Sequence, residues 1–232
     1  MNILEELANF ARVRVAADKL KISLEEIKSL AKTSTLGDGK KFLAALQRPE
    51  LSFICEVKKA SPSKGIIAEN FPYVDIAKDY AAADADCVSC LTEPKYFLGS
   101  DKIFKEIRAE ISLPMLRKDF TVDEYQIYQA KVLGADAVLL ICSILDAAQI
   151  EKFLAVCDEL NLAALVETHD EFEIERALNA GAEIIGVNNR NLKNFSVDFT
   201  NAEKLRELIP SDKIFVVESV IKTSADVATL KR

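Results

Sequence analysis

The chain has 232 residues, half of them apolar and 29% charged, which suits a globular protein and gives room for one large domain or two ordinary ones. A net charge of −7 leaves no electrostatic footprint for nucleic acid, while still allowing a local basic pocket for an anionic ligand. There is no apolar run of the roughly 18 residues a membrane span needs, and Met1-Asn2-Ile3-Leu4-Glu5-Glu6 lacks the basic and apolar stretches of a secretory signal, so a cytoplasmic protein is expected.

In chain order, the first fifty residues read as helices. Ile3, Leu7 and Phe10, and then Leu24, Ile27 and Leu30, recur at the three-to-four spacing of amphipathic helices. Ser23 with Glu26 offers a capping box, and Gly37-Asp38-Gly39 is a break. From Ser52 onward short β-rich runs are predicted at 53–58, 87–92, 114–118, 137–142, 163–168, 184–188 and 214–219. Helical stretches lie between them at 74–83, 101–111, 123–133, 146–160, 170–180 and 201–209. Several of these helices open on Asp or Asn, as N-caps do. Gly134 and Gly181 each follow a helix, where a positive φ is wanted.

Such alternation implies a parallel sheet. A closed barrel is favoured over an open doubly wound sheet, because the period is nearly regular and polar residues mark the carboxyl end of almost every run. No G-x-G-x-x-G follows the first run, which weakens a dinucleotide-binding reading.

The strand ends supply Glu56 and Lys58, Glu93, Lys118, Glu167, Asn188 with Arg190, and Glu218 with Ser219, which a barrel would gather at one mouth. Glu56 and Lys58 are two apart and share a face of their strand. Two lysines and an arginine suit an anionic substrate, and the carboxylates make acid–base chemistry available. Lys118 is a candidate general acid whose pKa crowding by Lys58 would lower, and Glu167 is its counterpart. His169 has the chemistry of a base but lies past its strand end, at the start of a helix. The loop Ala60-Ser61-Pro62-Ser63-Lys64-Gly65 is compatible with an anion site or a mobile lid, and equally with any turn. Cys87 and Cys90 spell C-x-x-C, but period two places their sulfurs on opposite faces, so they read as small strand residues rather than a redox or zinc site.

Five segments together resemble the indole-3-glycerol phosphate synthase family. They are Phe53-Ile54-Cys55-Glu56-Val57-Lys58-Lys59-Ala60-Ser61-Pro62-Ser63-Lys64-Gly65, Leu91-Thr92-Glu93-Pro94-Lys95-Tyr96-Phe97, Leu116-Arg117-Lys118-Asp119-Phe120, Val166-Glu167-Thr168-His169 and Gly186-Val187-Asn188-Asn189-Arg190-Asn191-Leu192. They stand in the family's order and spacing over nearly the whole chain. The resemblance implies an α/β (β/α)8 TIM barrel forming a single domain over 1–232, with an N-terminal helical extension at 1–50 and strands one to seven in 51–232. The eighth β/α unit is then missing from the chain. It also implies a carboxy-lyase of tryptophan biosynthesis that needs no metal or organic cofactor. Its substrate would be a phosphorylated small molecule, with no nucleic-acid or membrane partner; the oligomeric state is left open.

Carried over by motif, Lys118 resembles the general acid that protonates the substrate carbonyl oxygen. Lys58 resembles the lysine that engages the substrate's acidic groups, and Glu167 the carboxylate that assists dehydration. Glu56 and Asn188 resemble groups that orient the substrate and the lysines. Ser61 and Arg190 are expected to contact its anionic ends, and Glu218 and Ser219 match the acidic residue and serine at the end of the seventh strand.

Two departures are visible. Val220 stands where the family has a glycine, and a β-branched residue resists positive φ. The chain also reaches Arg232 within the helix expected after strand seven, and three explanations compete: the sequence is cut short, the missing strand comes from another copy, or the activity is lost. These keep open an impaired, truncated barrel acting as a non-catalytic subunit or binding module. A third reading is the pathway's phosphoribosylanthranilate isomerase, which relies on a cysteine–aspartate pair and is prompted by Cys55, on the strand face opposite Glu56.

Overall fold

Three helices precede the sheet in this computed structural model: α1 (Ile3–Lys19), α2 (Leu24–Thr33) and α3 (Gly39–Leu46). The structure describes residues 2–190, 196–198, 200–219, 221 and 223–230; Val220, and Asn191 and Leu192 of the last motif, lie outside the described residues. Asn2 and Glu5 close a reciprocal capping box at the start of α1. Ser23 makes the forward half of the box expected for α2, its hydroxyl accepting from the Glu26 N–H at 3.2 Å.

The break at Gly37-Asp38-Gly39 is a tightly packed joint. A Cβ at Gly37, where φ is +71°, would lie 2.1 Å from the Ala135 carbonyl oxygen, and one at Gly39 would lie 2.4 Å from the Ala163 nitrogen. Glycine is needed at both because backbone meets backbone. The close approach seats α3 against the strand starts, and Phe42 is buried there completely.

Seven strands follow in one parallel sheet: β1 (Ile54–Val57), β4 (Cys87–Leu91), β5 (Met115–Lys118), β6 (Ala137–Ile141), β7 (Ala163–Thr168), β8 (Ile184–Asn188) and β9 (Ile214–Glu218), paired in that order. Each matches a predicted run to within one residue at either end. A short hairpin of β2 (Ala60–Ser61) and β3 (Gly65–Ile66), read only as a loop in the sequence, follows β1. Crossovers are made by α4 (Tyr73–Ala82), α5 (Asp101–Glu110), α6 (Glu124–Leu133), α7 (Ala147–Glu159), α8 (Glu171–Asn179) and α9 (Thr200–Arg206), and α10 (Ser224–Leu230) follows β9. Asp123, Asp146 and Asp170 cap α6, α7 and α8, and Gly134 and Gly181 have φ of +84° and +90°. The ninth helix stops at Arg206, three residues short of the predicted end, because Pro210 bars helical conformation just before it and the Arg206 guanidinium caps the Ile209 carbonyl instead.

The strands are apolar on both faces, as parallel sheets are. Outward residues such as Val88, Cys90, Leu140, Val166 and Ile185 pack with Phe104, Ile127, Ile150 and Ile174 of the helices. Inward residues Cys87, Leu116, Leu139 and Leu165 form a second cluster that also takes Ile54 from β1, Val216 from β9 and Leu4 and Leu7 from α1. Because residues from the first and last strands meet in one inner cluster, the sheet curls into an open, seven-stranded TIM-like barrel with α1 against its interior. Cys87 and Cys90 fall in different clusters, as period-two alternation requires. Among the described residues no helix is long and apolar enough to cross a membrane.

Candidate active site

The inward-facing positions repeat every second residue, so the residue two beyond each inner apolar side chain sits one layer nearer the carboxyl end. Ile54 is followed by Glu56, Leu116 by Lys118, Leu165 by Glu167 and Val216 by Glu218. The apolar layer is thus a floor and the charged layer a ring above it. The ring borders a cavity of about 600 Å³ whose lining includes Glu56, Lys58, Ser61, Lys118, Glu167, Asn188, Arg190, Glu218 and Ser219. All nine predicted site residues are brought together. Glu93 is not among them: its buried carboxylate turns into its own loop and accepts the N–H groups of Lys95, Tyr96 and Phe97 at 2.9, 2.7 and 2.9 Å.

Within the ring Lys58 pairs with Glu56 of its own strand. Lys118 donates to Glu218 at 2.6 Å across the barrel and to Glu167 at 3.5 Å. The expectation that Lys58 would crowd Lys118 and lower its pKa is corrected by this arrangement. Burial does push the Lys118 ammonium down, but Glu218, Glu167 and Glu56 outweigh burial and hold it above its ordinary value. Each lysine has carboxylates for its nearest charges. Burial pushes the Glu218 carboxyl up; although Lys118 pulls the other way, Glu167 and Glu56 add to burial, and the group reaches about 7.

Glycine at 186 makes this pairing possible. A Cβ there would lie 2.3 Å from Glu218 Oε1 and 3.1 Å from Leu165 Cδ1. The first neighbour is the tip of a flexible chain, so Gly186→Ala should displace Glu218 from Lys118 rather than unfold the barrel. We expect a loss of about 1 kcal/mol or less in stability, with turnover falling at least about tenfold. A variant with full turnover would show that the Glu218–Lys118 contact is dispensable.

Asn188 accepts the backbone N–H of Arg190 at 2.9 Å, which turns the chain at the rim. Ser219 holds a φ of +72°, uncommon for a residue with a side chain. Ser61 sits in the hairpin after β1, opposite Gly65 at φ +65°.

Sequence reasoning missed the support of the site. Asp119, buried beside Lys118, accepts both terminal nitrogens of Arg14 from α1 at 2.6 and 3.0 Å, the Thr92 hydroxyl at 2.6 Å and the Phe120 N–H at 2.8 Å. This clamp holds α1 where Ile3, Leu4 and Leu7 line the cavity. Phe97 and Phe120, with ring centroids 6.0 Å apart, continue the apolar wall. Cys55 does not border the cavity, and burial pushes its thiol pKa up, so the cysteine on which the isomerase reading turned lies outside this site. Among the described residues no cluster of three or more His, Cys, Asp or Glu is placed to hold a metal ion.

Residues 4–232 match the family described as indole-3-glycerol phosphate synthase. A relative of that name from Ruminiclostridium cellulolyticum is 52% identical over 230 residues, covering 99% of this chain and 88% of its own length. Another, from Endomicrobium trichonymphae, is 50% identical over 229 residues, covering 99% and 89%. Among solved structures, N-acetylmannosamine-6-phosphate 2-epimerase from Clostridium perfringens superposes with a TM-score of 0.55 at 13% identity, covering 75% of this chain and 78% of that one. A Streptococcus mutans protein described as KGPDC gives 0.55 at 14% identity, covering 78% and 82%. These two likenesses support the barrel fold alone. With the match spanning nearly the whole chain and half of its residues identical to named relatives, the chain belongs to the indole-3-glycerol phosphate synthase family.

Proposed function

We propose that this cavity closes the indole ring. It would act as a carboxy-lyase on 1-(2-carboxyphenylamino)-1-deoxyribulose 5-phosphate, releasing carbon dioxide and water to give indole-3-glycerol phosphate. The observation that carries the reading is a buried ammonium, Lys118, set between Glu218 and Glu167 above an apolar floor. Ring closure needs the aromatic carbon that bears the carboxylate held against the ribulose carbonyl carbon, and an apolar-walled mouth holds an aryl ring so that much of the catalysis is positioning. As the carbon–carbon bond forms, Lys118 donates its proton to the carbonyl oxygen, which becomes a hydroxyl. A raised pKa keeps the lysine protonated until an oxygen more basic than itself develops. Loss of the carboxylate as carbon dioxide returns an electron pair to the ring and restores aromaticity. The hydroxyl then takes a second proton, from Lys58, and leaves as water, while Glu167 takes the proton from the adjacent carbon.

Glu56 holds Lys58, which faces the substrate carboxylate. Ser61, Arg190 and Ser219 stand at the rim for the phosphate, with Asn188 fixing the turn that carries Arg190. The test separates the two halves of the reaction. Glu167→Gln should still release carbon dioxide while indole fluorescence appears at least about a hundredfold more slowly than in the parent, the typical contribution of a general base. Equal loss of both products would move Glu167 to the ring-closure step, and undiminished fluorescence would remove it from the chemistry.

A further inference from the structure

Glu167 is poorly provided with positive charge for a carboxylate that must stay ionised. Its Oε2 shares Lys118 with the closer Glu218. Its Oε1 is buried and, among the described residues, accepts no hydrogen bond. Nε2 of His169 lies 3.4 Å from it and, among the described residues, is also buried and without a hydrogen bond.

The other edge of that imidazole is firmly held. Nδ1 lies 3.1 Å from Glu173 Oε2 and 3.2 Å from Ser143 Oγ. The Ser143 hydroxyl donates to Glu173 Oε1 at 2.6 Å, so toward Nδ1 both neighbours offer lone pairs. Nδ1 is therefore the protonated nitrogen. Glu173 also accepts the His169 backbone N–H at 2.8 Å, and Asn201 of α9 donates to the His169 carbonyl at 3.3 Å, which fixes the residue from both sides. With Nδ1–H committed to Glu173, a neutral ring would turn a bare Nε2 lone pair on a carboxylate oxygen, a repulsive contact. Protonation of Nε2 converts it into an attraction.

We propose that His169 is a positioning residue for Glu167: fixed by Glu173 and Ser143 as an imidazolium, it keeps Glu167 ionised and aimed in a mouth that already holds Glu56 and Glu218. The proposal rests on the reading of Glu167 as the base of the dehydration step. The charged groups that face the ring are Glu173 from α8, Glu167 from β7 and Glu218 from β9, all acidic. Arg176, the nearby cation, turns its guanidinium to the Cys142 and Leu145 carbonyls at 3.2 and 3.0 Å. Burial alone would discharge the imidazole, but the three carboxylates outweigh burial and raise its pKa.

The sequence contains a single histidine, so one pair of ring resonances reports the titration without assignment. In the full chain the imidazole should titrate above the ordinary value of about 6.5. Glu167→Gln and Glu173→Gln should each lower that midpoint, the first by roughly one unit. In kinetics, His169→Gln should move the acid limb of the kcat profile to higher pH by roughly one unit, a tenfold loss on that limb, with KM changed less than about twofold. A purely structural histidine would instead lower the melting temperature and leave the profile in place. The proposal is overturned by a wild-type imidazole titrating at or below the ordinary value, by a midpoint indifferent to Glu167→Gln, or by superimposable profiles. Should His169→Gln fail to fold, the resonance titrations of the other proteins still decide. If Glu167→Gln retained full turnover, the assigned base would fall, while the titration would independently keep or reject the His169–Glu167 pairing.

Discussion

Lys118→Ala should abolish turnover to within about 10⁻² to 10⁻⁴ of the parent rate while substrate binding largely persists, because the general acid acts only as charge develops on the carbonyl oxygen. The apolar floor of Leu116, Leu139, Leu165 and Val216 and the rim residues are untouched by the substitution, so the aryl ring and phosphate keep their seats. The variant also strips Glu218 and Glu167 of their common cation. Glu218, already raised to about 7, would rise further once the pull of Lys118 is gone. A carboxyl whose folded value is raised contributes stability that is full below its unfolded pKa of about 4.3 and lost as pH climbs through the folded one. The variant should therefore be measured near pH 6 as well as pH 8, where a shortfall in stability is expected. Lys118→Met, which restores the alkyl stem without the charge, separates lost packing from lost acid. Near-normal turnover in either variant, followed by indole fluorescence, would remove Lys118 from the acid's role.

Much of this was legible from alternation. The strand boundaries follow from apolar runs punctuated by Asp caps and by Gly134 and Gly181, and the mouth follows from asking which residues end each run. What sequence could not supply was which charge faces which. The Lys118–Glu218 contact joins residues 100 apart on strands with three others between them, so no local spacing announces it. The expected Lys58–Lys118 crowding failed for the same reason: Glu56 beside Lys58, and Glu218 across the barrel from Lys118, answer each cation with an opposite charge. Glu93 misled because it stands one residue past Thr92, where the chain already turns into its loop and a carboxylate is worth more to three backbone N–H groups than to the mouth. His169 shows the opposite case. It lies past its strand and outside the cavity lining, yet it reaches the back of Glu167, a contact that only the packed helix start creates.

Asp119→Ala should cost about 3 to 5 kcal/mol of stability, the range found when one member of a buried ionic network is removed. The carboxylate is 2% exposed and answers four donors on three parts of the chain: the fork of Arg14, the hydroxyl of Thr92 and the N–H of Phe120. Arg117, itself 3% exposed, lies 3.8 Å away and would lose a neighbouring anion as well. Burial alone would raise the Asp119 pKa, but Arg14 and Arg117, with the Thr92 hydroxyl, outweigh burial and hold it below the ordinary value. Its contribution is then complete at neutral pH and is lost as pH falls through the ordinary carboxylate value of about 3.9 toward the folded one. The gap between Asp119→Ala and the parent in urea midpoints should accordingly narrow in acid. Because the same carboxylate anchors α1, whose Ile3, Leu4 and Leu7 wall the cavity, KM should rise more than kcat falls in Arg14→Ala, which frees the helix but spares the buried acid. An Asp119→Ala protein within about 1 kcal/mol of the parent at pH 7 would mean that α1 is held by its apolar face alone. The charge pair would then only aim the residue beside Lys118.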